Sequence, residues 1–283
     1  MRSYSYYNGT FAPTSEIRIP LTDRAIYFGD GVYDAAIGKD GRIFLADEHI
    51  KRFISNAKKI SIPKIPSYQS VLDLLTETIK RAEIDEFFIY FQISANAPYR
   101  THSSLGLDSS NLLITVSETE TVESYECISL ITEEDIRHLR CDIKTINLLP
   151  AVIASTRAAA AGCDEAVFHR GSTVTECAHS NISILKNGTL YTHPLNNLIL
   201  PGITRARLLL TCHKLGVPCR ERAFTLDELY CADEILVTST SKLCRRAGSI
   251  NGVPCGAKDP ALAKKICHNL YLEYSDFCNC YQN

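Results

Sequence analysis

The chain has no cysteine before Cys127, and the twelve cysteines from there on include no C-x-x-C pair. That absence removes the commonest spacing of zinc and redox centres. Cys278 and Cys280 form a lone C-x-C behind His268. The ligand pattern is incomplete, so scattered free thiols in a reducing cytoplasm are the reading preferred over a metal or redox module. No apolar run approaches the roughly 20 residues of a membrane span. Residues Met1 to Thr10 are polar and aromatic and lack the apolar centre of a secretory signal, so a cytoplasmic protein is expected. Nor is one sign of charge in excess. Thirty basic against 32 acidic residues give a net charge of −2, which argues against nucleic acid or an anionic membrane as partner. There is no repeat and no low-complexity stretch.

What is present is ordinary globular material. The 283 residues are 45% hydrophobic and 22% charged, enough for one large domain or two modest ones. The start reads as short strands around an Asn8-Gly9 turn. A helix is expected over His49 to Ile60. Another is expected over Tyr68 to Ala82, where Val71, Leu75, Ile79 and Ala82 share a face. Phe87 to Ile93 and Leu112 to Val116 are rich in aromatic and β-branched residues and read as strands. The acidic stretch Ser117 to Ser124 is too polar for core. The division expected is therefore a small N-terminal domain over 1–118, a linker over 119–125 and a large domain over 126–283.

In the second half, Ile128 to Ile131 and Cys141 to Leu149 read as strands, and Ala151 to Ala161 as an alanine-rich helix. A meander follows from Glu165 to Thr192, with turns at Arg170-Gly171 and Asn187-Gly188. Further helices are expected after Pro201-Gly202, after a Thr225/Glu228 capping box, and over Pro260 to Tyr274, with a strand at Glu234 to Thr238. Strands first and a mixture later indicate α+β.

Several residues carry possible chemistry, each with a bland alternative. Lys144 sits among apolar neighbours; desolvation favours a lysine's neutral amine, which bonds carbonyls, although a strand lysine usually faces water. Gly202-Ile203-Thr204 opens a helix, a place where free N–H groups bind phosphate, but many helices begin so. The hydroxyls of Thr238-Ser239-Thr240-Ser241 suit an anion or an ordinary polar strand end. Arg100 and His102 point the same way in an extended loop and suit a carboxylate, or merely face solvent. Glu176 alone is a surface glutamate.

Order and spacing distinguish these readings. The run Leu21-Thr22-Asp23-Arg24-Ala25-Ile26-Tyr27-Phe28-Gly29-Asp30-Gly31-Val32-Tyr33-Asp34 resembles the N-terminal signature of the class IV aminotransferases. Glu48-His49-Ile50-Lys51-Arg52-Phe53, Asp142-Ile143-Lys144-Thr145-Ile146-Asn147, Thr175-Glu176 with Ser180-Asn181, and Leu200-Pro201-Gly202-Ile203-Thr204-Arg205 resemble its later segments, in order. The resemblance runs from about residue 4 to 275.

It implies the two-domain type IV fold: a smaller N-terminal α/β domain, a larger domain with a β-barrel-like sheet, the cofactor in the cleft between them, and a homodimer. It implies pyridoxal 5'-phosphate as cofactor, joined to Lys144 as a Schiff base. Arg52, Ile203, Thr204, Ser239 and Thr240 would bind the cofactor, chiefly its phosphate, and Glu176 would pair with the pyridine nitrogen. A carboxylate there keeps that nitrogen protonated, and freed Lys144 serves as base at the substrate Cα.

Tyr99-Arg100-Thr101-His102 resembles the carboxylate trap of the D-amino-acid transaminases, where the arginine and histidine come from the neighbouring subunit. The resemblance implies that Tyr33 would complete the trap and Tyr90 would line the same pocket; Asp142-Ile143-Lys144 and Tyr191-Thr192-His193-Pro194 also look closer to this group. The expected reaction is transamination between a D-amino acid such as D-alanine and a 2-oxo acid such as 2-oxoglutarate. Alternatives are a branched-chain or other L-amino-acid transaminase, an aminodeoxychorismate lyase, or a protein that binds the cofactor without turnover. The sequence departs from the group at Ala95-Asn96, where an Arg-Gly pair is common, and at Lys242-Leu243-Cys244-Arg245-Arg246, whose arginines would favour a dicarboxylic substrate or face water.

Overall fold

A computed structural model describes residues 2–121, 123–124 and 126–280. The linker expected over 119–125 therefore lies outside the described residues at Val122 and Tyr125. The chain divides into two compact units. One holds residues up to Thr121 together with Ile143–Asn147; the other holds the residues that follow up to Asp142, then Leu148–Cys280.

The first unit contains β1 (Ser3–Tyr7), β2 (Thr10–Pro13), α1 (Arg24–Phe28), β3 (Gly31–Lys39), β4 (Arg42–Ile43), α2 (Ala46–Lys59), α3 (Tyr68–Ala82), β5 (Glu86–Ala95) and β6 (Ser110–Glu118). Its six strands form one antiparallel sheet in the order β2-β1-β6-β5-β3-β4. Alternation along β5 explains the layering. Phe87, Ile89, Phe91 and Ile93 are fully buried in a core shared with Ile50 and Phe53 of α2 and Val71, Leu75 and Ile79 of α3. Phe88, Tyr90 and Gln92 project from the other face. Burying each such Phe or Ile stabilises by about 1.5–3 kcal/mol. Ser67 caps α3 by accepting from the Ser70 N–H at 3.1 Å.

The second unit contains β7 (Ile128–Glu134), α4 (Leu149–Ala160), β8 (Glu165–Arg170), β9 (Thr173–Cys177), β10 (Asn181–Lys186), β11 (Thr189–Thr192), α5 (Ile203–Lys214), β12 (Cys219–Glu221), α6 (Leu226–Tyr230), β13 (Glu234–Ser239), β14 (Leu243–Ile250), β15 (Val253–Pro254) and α7 (Pro260–Asn279). The nine strands curl into a half-barrel, β12-β11-β10-β13-β14-β7-β8-β9, with β15 on β14. Three buried apolar clusters pack against it, two on opposite faces of β10 and β13 and a third joining α4 to β7 and β8. Ile182, Ile184, Ile235 and Val237 face inward with Phe224 and Leu229. Leu185 and Leu236 face outward under Leu208 of α5 and Ile266 and Leu270 of α7. The expected capping box forms, with Thr225 and Glu228 bonding each other's backbone N–H.

The strand expected over Cys141 to Leu149 is not one. Leu149 already belongs to α4, and the rest is an irregular run with a single bridge, Thr145 to Val32. Around Lys144 the backbone bonds stay within the first unit and go to β3: Tyr33 N–H donates to the Lys144 carbonyl at 2.9 Å, and Ile146 N–H to the Gly31 carbonyl at 3.2 Å. Gly31 permits this approach, since a Cβ there would lie 3.0 Å from Ile146 Cδ1 and 2.7 Å from the Ile93 carbonyl oxygen.

Candidate active site

Lys144 is half-buried, and its Nζ lies 4.4 Å from the centre of the Tyr33 ring. Tyr33 stacks on Tyr90 with ring centres 5.3 Å apart, and the Tyr90 hydroxyl donates to Gln92 Oε1 at 2.6 Å. β3 and β5 create this group, because the register pairs Tyr33 with Gln92 and Ala35 with Tyr90 and so puts all three polar side chains on one face. Burial, then the neighbouring Tyr33, pushes the Tyr90 hydroxyl well above its usual range, so it stays a neutral donor. The amine thus rests on an aromatic wall, which attracts a cation weakly but blocks no face of the nitrogen with a fixed partner.

Arg52 lies elsewhere in the same unit. Its Nε donates to Asp34 Oδ2 and its Nη2 to Asp34 Oδ1, both at 2.8 Å. Asp34 and Tyr33 are adjacent in β3, so their side chains leave opposite faces. Asp34 points toward α2, where His49 Nδ1 meets its Oδ1 at 2.7 Å.

Arg100 and His102 are exposed. Arg24 donates to the carbonyls of Thr101 and His102, His102 packs on the Phe28 ring, and Arg100 lies over Tyr27 and Phe28. Among the described residues no hydrogen bond, ion pair or ring contact joins either one to Tyr33, Tyr90 or Lys144 of the same chain.

In the second unit Glu176 is the next-to-last residue of β9 and is 4% exposed. Arg137 Nη1 donates to its Oε1 at 2.6 Å, while Asn181 Nδ2 and the Leu200 N–H each donate to Oε2 at 2.9 Å. Arg137 also grips Asp135 through Nε at 2.9 Å and Nη2 at 3.0 Å. This supports a buried negative charge on a rigid mount, the requirement for a partner to a cationic ring N–H.

Asn181 is central. Its register partner on β13 is Thr238, on the sheet face under α5 and α7. Gly202, which caps α5, comes so close that a Cβ would lie 1.9 Å from Asn181 Oδ1. No side chain caps that helix, so the N–H groups of its first turn, beginning at Ile203 and Thr204, have no capping acceptor. Thr238 Oγ1 is buried without a hydrogen-bond partner, and half-buried Ser239 and Thr240 follow it into the β13–β14 turn. An uncapped helix start, an orphan hydroxyl and a turn rich in hydroxyls form a donor set for a phosphate. The same unit holds the Glu176 carboxylate, suited to a ring nitrogen, and the first unit by itself holds an aromatic-backed lysine suited to an aldehyde, so each set taken alone suits one part of pyridoxal phosphate.

Arg137, Asp34 and Asn181 were not picked out as site residues from sequence. Asp34 carried a signal, a charge inside the apolar run Gly31-Val32-Tyr33-Asp34-Ala35-Ala36-Ile37; Arg137 lies in a polar loop that carried none. Arg246 departs from the substrate-facing or solvent-facing role expected of it: it is buried and donates to Glu234 Oε2 through Nε at 3.1 Å and Nη2 at 2.7 Å. Arg245 is half-buried and donates to the Glu126 carbonyl at 3.2 Å. Cys177, beside Glu176, packs in the inner core, where burial pushes its thiol well above the usual range. His268 Nδ1 lies 2.7 Å from Glu123 Oε1, and no cluster of metal-ligating side chains occurs among the described residues.

A family profile described as amino-transferase class IV matches residues 31–250. A D-alanine aminotransferase of Staphylococcus haemolyticus is 36% identical over 256 residues, covering 89% of this chain and 90% of that one. A D-alanine aminotransferase of Listeria monocytogenes serotype 4b is 35% identical over 273 residues, 94% of each. Among solved structures, a branched-chain aminotransferase of the thermophilic archaeon Thermoproteus uzoniensis with norvaline superposes with a TM-score of 0.86 at 22% identity, covering 95% of this chain and 93% of that one; at that identity the likeness concerns the fold.

Proposed function

The chain belongs to the class IV aminotransferases, pyridoxal-phosphate enzymes, and we propose that within that family it transfers the amino group of a D-amino acid such as D-alanine to a 2-oxo acid such as 2-oxoglutarate. The observation that carries this reading is the likeness to D-alanine aminotransferases at 35–36% identity along about nine-tenths of the chain.

The residue roles proposed follow from the two clusters. In the first unit Lys144 bonds the cofactor and Arg52 takes its phosphate. In the second, Glu176 pairs with the pyridine nitrogen, and Ile203, Thr204, Ser239 and Thr240 donate to the phosphate by N–H and hydroxyl. When bound, pyridoxal phosphate supplies an electron-poor ring that accepts the electron pair released at the substrate Cα. Lys144 Nζ removes the proton from that Cα, a role open to an amine backed by Tyr33 rather than locked in an ion pair. Glu176, with its charge compensated by Arg137, keeps the ring nitrogen's proton in place. Arg100 and His102 bind the substrate carboxylate of a neighbouring subunit, whose Tyr33 and Tyr90 line the pocket. Their exposure supports donation to a partner, and holding the carboxylate on one side selects the hydrogen presented to Lys144.

A homodimer accompanies this reading. Leu148, Leu149, Val152 and Ile153 at the start of α4 are 37–70% exposed, an apolar strip that a second copy would cover. We place the protein in the cytoplasm: no described helix is long and apolar enough to cross a membrane, and twelve free thiols suit a reducing compartment.

The test is to add D-alanine, then L-leucine, to the purified holoenzyme without a keto acid while following the cofactor's visible absorbance. Bleaching by D-alanine alone, restored by 2-oxoglutarate, is expected. Bleaching by L-leucine alone would overturn the D-specific reading, and pyruvate released from aminodeoxychorismate in many-fold excess over enzyme, without any keto acid, would identify a lyase, since the half-reaction of D-alanine yields only one equivalent per site.

A further inference from the structure

Asp34 is an unusual residue for its position. It shares a sheet face with Val32 and Ala36, its register partner is Phe91, and all three belong to the apolar core of the first unit, as do Ile50 and Phe53 of α2. Its side chain is 0% exposed. Four donors converge on it. Ala35 N–H at 2.8 Å, His49 Nδ1 at 2.7 Å and Arg52 Nη2 at 2.8 Å reach Oδ1, and Arg52 Nε at 2.8 Å reaches Oδ2. His49 and Arg52 are three residues apart in α2 and so present one face to β3. Burial alone would raise the Asp34 pKa, but the Arg52 charge and the hydrogen bonds from His49 and Arg52 outweigh it and hold the carboxyl ionised.

A buried ion pair is a poor way to gain stability, because apolar side chains of similar volume commonly do as well or better. What this pair does supply is geometry. Guanidinium is planar, and a two-pronged fork through Nε and Nη2 fixes both its plane and its rotation, directing the Nη1 end away from the carboxylate.

We propose that Asp34, anchored in turn by His49, is a positioning residue that pre-orients Arg52 for the phosphate of pyridoxal phosphate. The inference rests on the assignment of the phosphate to Arg52. It makes a prediction opposite in sign to simple electrostatics. Asp34 carries a negative charge next to an anion-binding arginine, so removing that charge should tighten phosphate binding if Coulomb attraction alone mattered. If orientation matters more, removing it weakens binding.

The experiment compares pyridoxal phosphate with phosphate-free pyridoxal, both titrated by absorbance into apoenzyme stripped from the purified holoenzyme. Asp34→Asn is expected to weaken pyridoxal phosphate binding by about 10–100-fold, the usual effect of losing a residue that orients a ligating group, and to leave pyridoxal binding within about twofold. In an Arg52→Ala background Asp34→Asn should add nothing. Asp34→Glu keeps the charge but displaces the fork by a methylene, and should show a smaller loss of the same selective kind; it carries the test if Asp34→Asn does not fold. Unchanged or tighter pyridoxal phosphate binding in Asp34→Asn overturns the inference. Equal weakening of both ligands also overturns it, because a purely structural role would act so. If Arg52→Ala itself fails to distinguish the two ligands, the phosphate assignment is what fails, and the inference goes with it.

Discussion

Removing Arg137 gives the sharpest test of the buried carboxylate cluster in the second unit. Its guanidinium donates to Glu176 at 2.6 Å, to Asp135 at 2.9 and 3.0 Å, and to the Leu198 carbonyl at 3.4 Å. The Asp135 side chain is 0% exposed and that of Glu176 6%. Arg137→Ala therefore leaves two buried carboxylates short of a cation. Removing one partner of a buried pair typically costs about 3–5 kcal/mol. The lower end applies here, because Asp135 keeps Arg170 Nε at 3.1 Å and Glu176 keeps Asn181 and the Leu200 N–H. About 3 kcal/mol at roughly 2–4 °C per kcal/mol lowers the melting temperature of the apoenzyme by about 6–12 °C. The pH dependence has a definite sign. Burial would raise the Asp135 pKa, but hydrogen bonds and charge from Arg137, with help from Arg170, lower it overall. A depressed folded-state pKa gives stability that is present above the unfolded value of about 4 and lost as the pH falls through the folded value. The gap between parent and variant should thus be full at neutral pH and narrow below about pH 4. Differential scanning calorimetry across pH measures both. A drop below about 2 °C at pH 7 would refute the argument that these carboxylates depend on Arg137.

Other variants probe the remaining parts. Lys144→Ala should remove the absorbance of covalently held cofactor and lower turnover by at least about 10²–10⁴-fold, the range for losing a general base, as read by single-turnover assays. Gly202→Ala puts a Cβ 1.9 Å from Asn181 Oδ1, so a loss of about 1–3 kcal/mol in stability and weaker pyridoxal phosphate binding are expected from thermal melts and titration. Arg246→Ala strands buried Glu234 and should cost about 3–5 kcal/mol, whereas Arg245→Ala should cost little; neither should alter the D-glutamate to D-alanine rate ratio in steady-state assays. Leu149→Glu with Val152→Glu should convert a dimer to monomer in light scattering, since both positions are exposed and apolar on α4.

How much of this was legible in the sequence depends on the range of the interaction that fixes each element. Helix α3 was readable because its burial pattern repeats within the helix, and β5 because alternate residues face one core. Turns such as Asn187-Gly188 and the Thr225/Glu228 capping box are chemistry between near neighbours and were equally plain. The segment carrying Lys144 misled, because its apolar alternation suggests a strand whereas its backbone bonds go to β3, more than a hundred residues earlier. Nothing in the alternation of Cys141 to Leu149 records that partner. β14 was hidden for a related reason. Its Arg245-Arg246 pair looks solvent-seeking, yet Arg246 is neutralised by Glu234 across the β13–β14 ladder, a pairing that exists only once the strands are in register.

The same distinction divides the site. Lys144, Glu176 and the Gly202-Ile203-Thr204 turn are proposed as site residues from resemblance, since each residue type is dictated by the chemistry of the group it would bind. The residues that hold them were not. Arg137 is visible only through its bonds to Glu176 and Asp135, and the role of Asp34 only through its bonds to Arg52 and His49. A supporting charge has no local signature except at Asp34, where an acidic residue interrupts a buried apolar strand. A lone charge in such a strand is costly unless something distant compensates it, so its presence in a sequence already implies an unseen cation. Here that cation is Arg52, one α-helix further along the chain. Taken as half of a pair, rather than as noise in the strand pattern, the interruption at Asp34 points to this support from the amino-acid sequence alone.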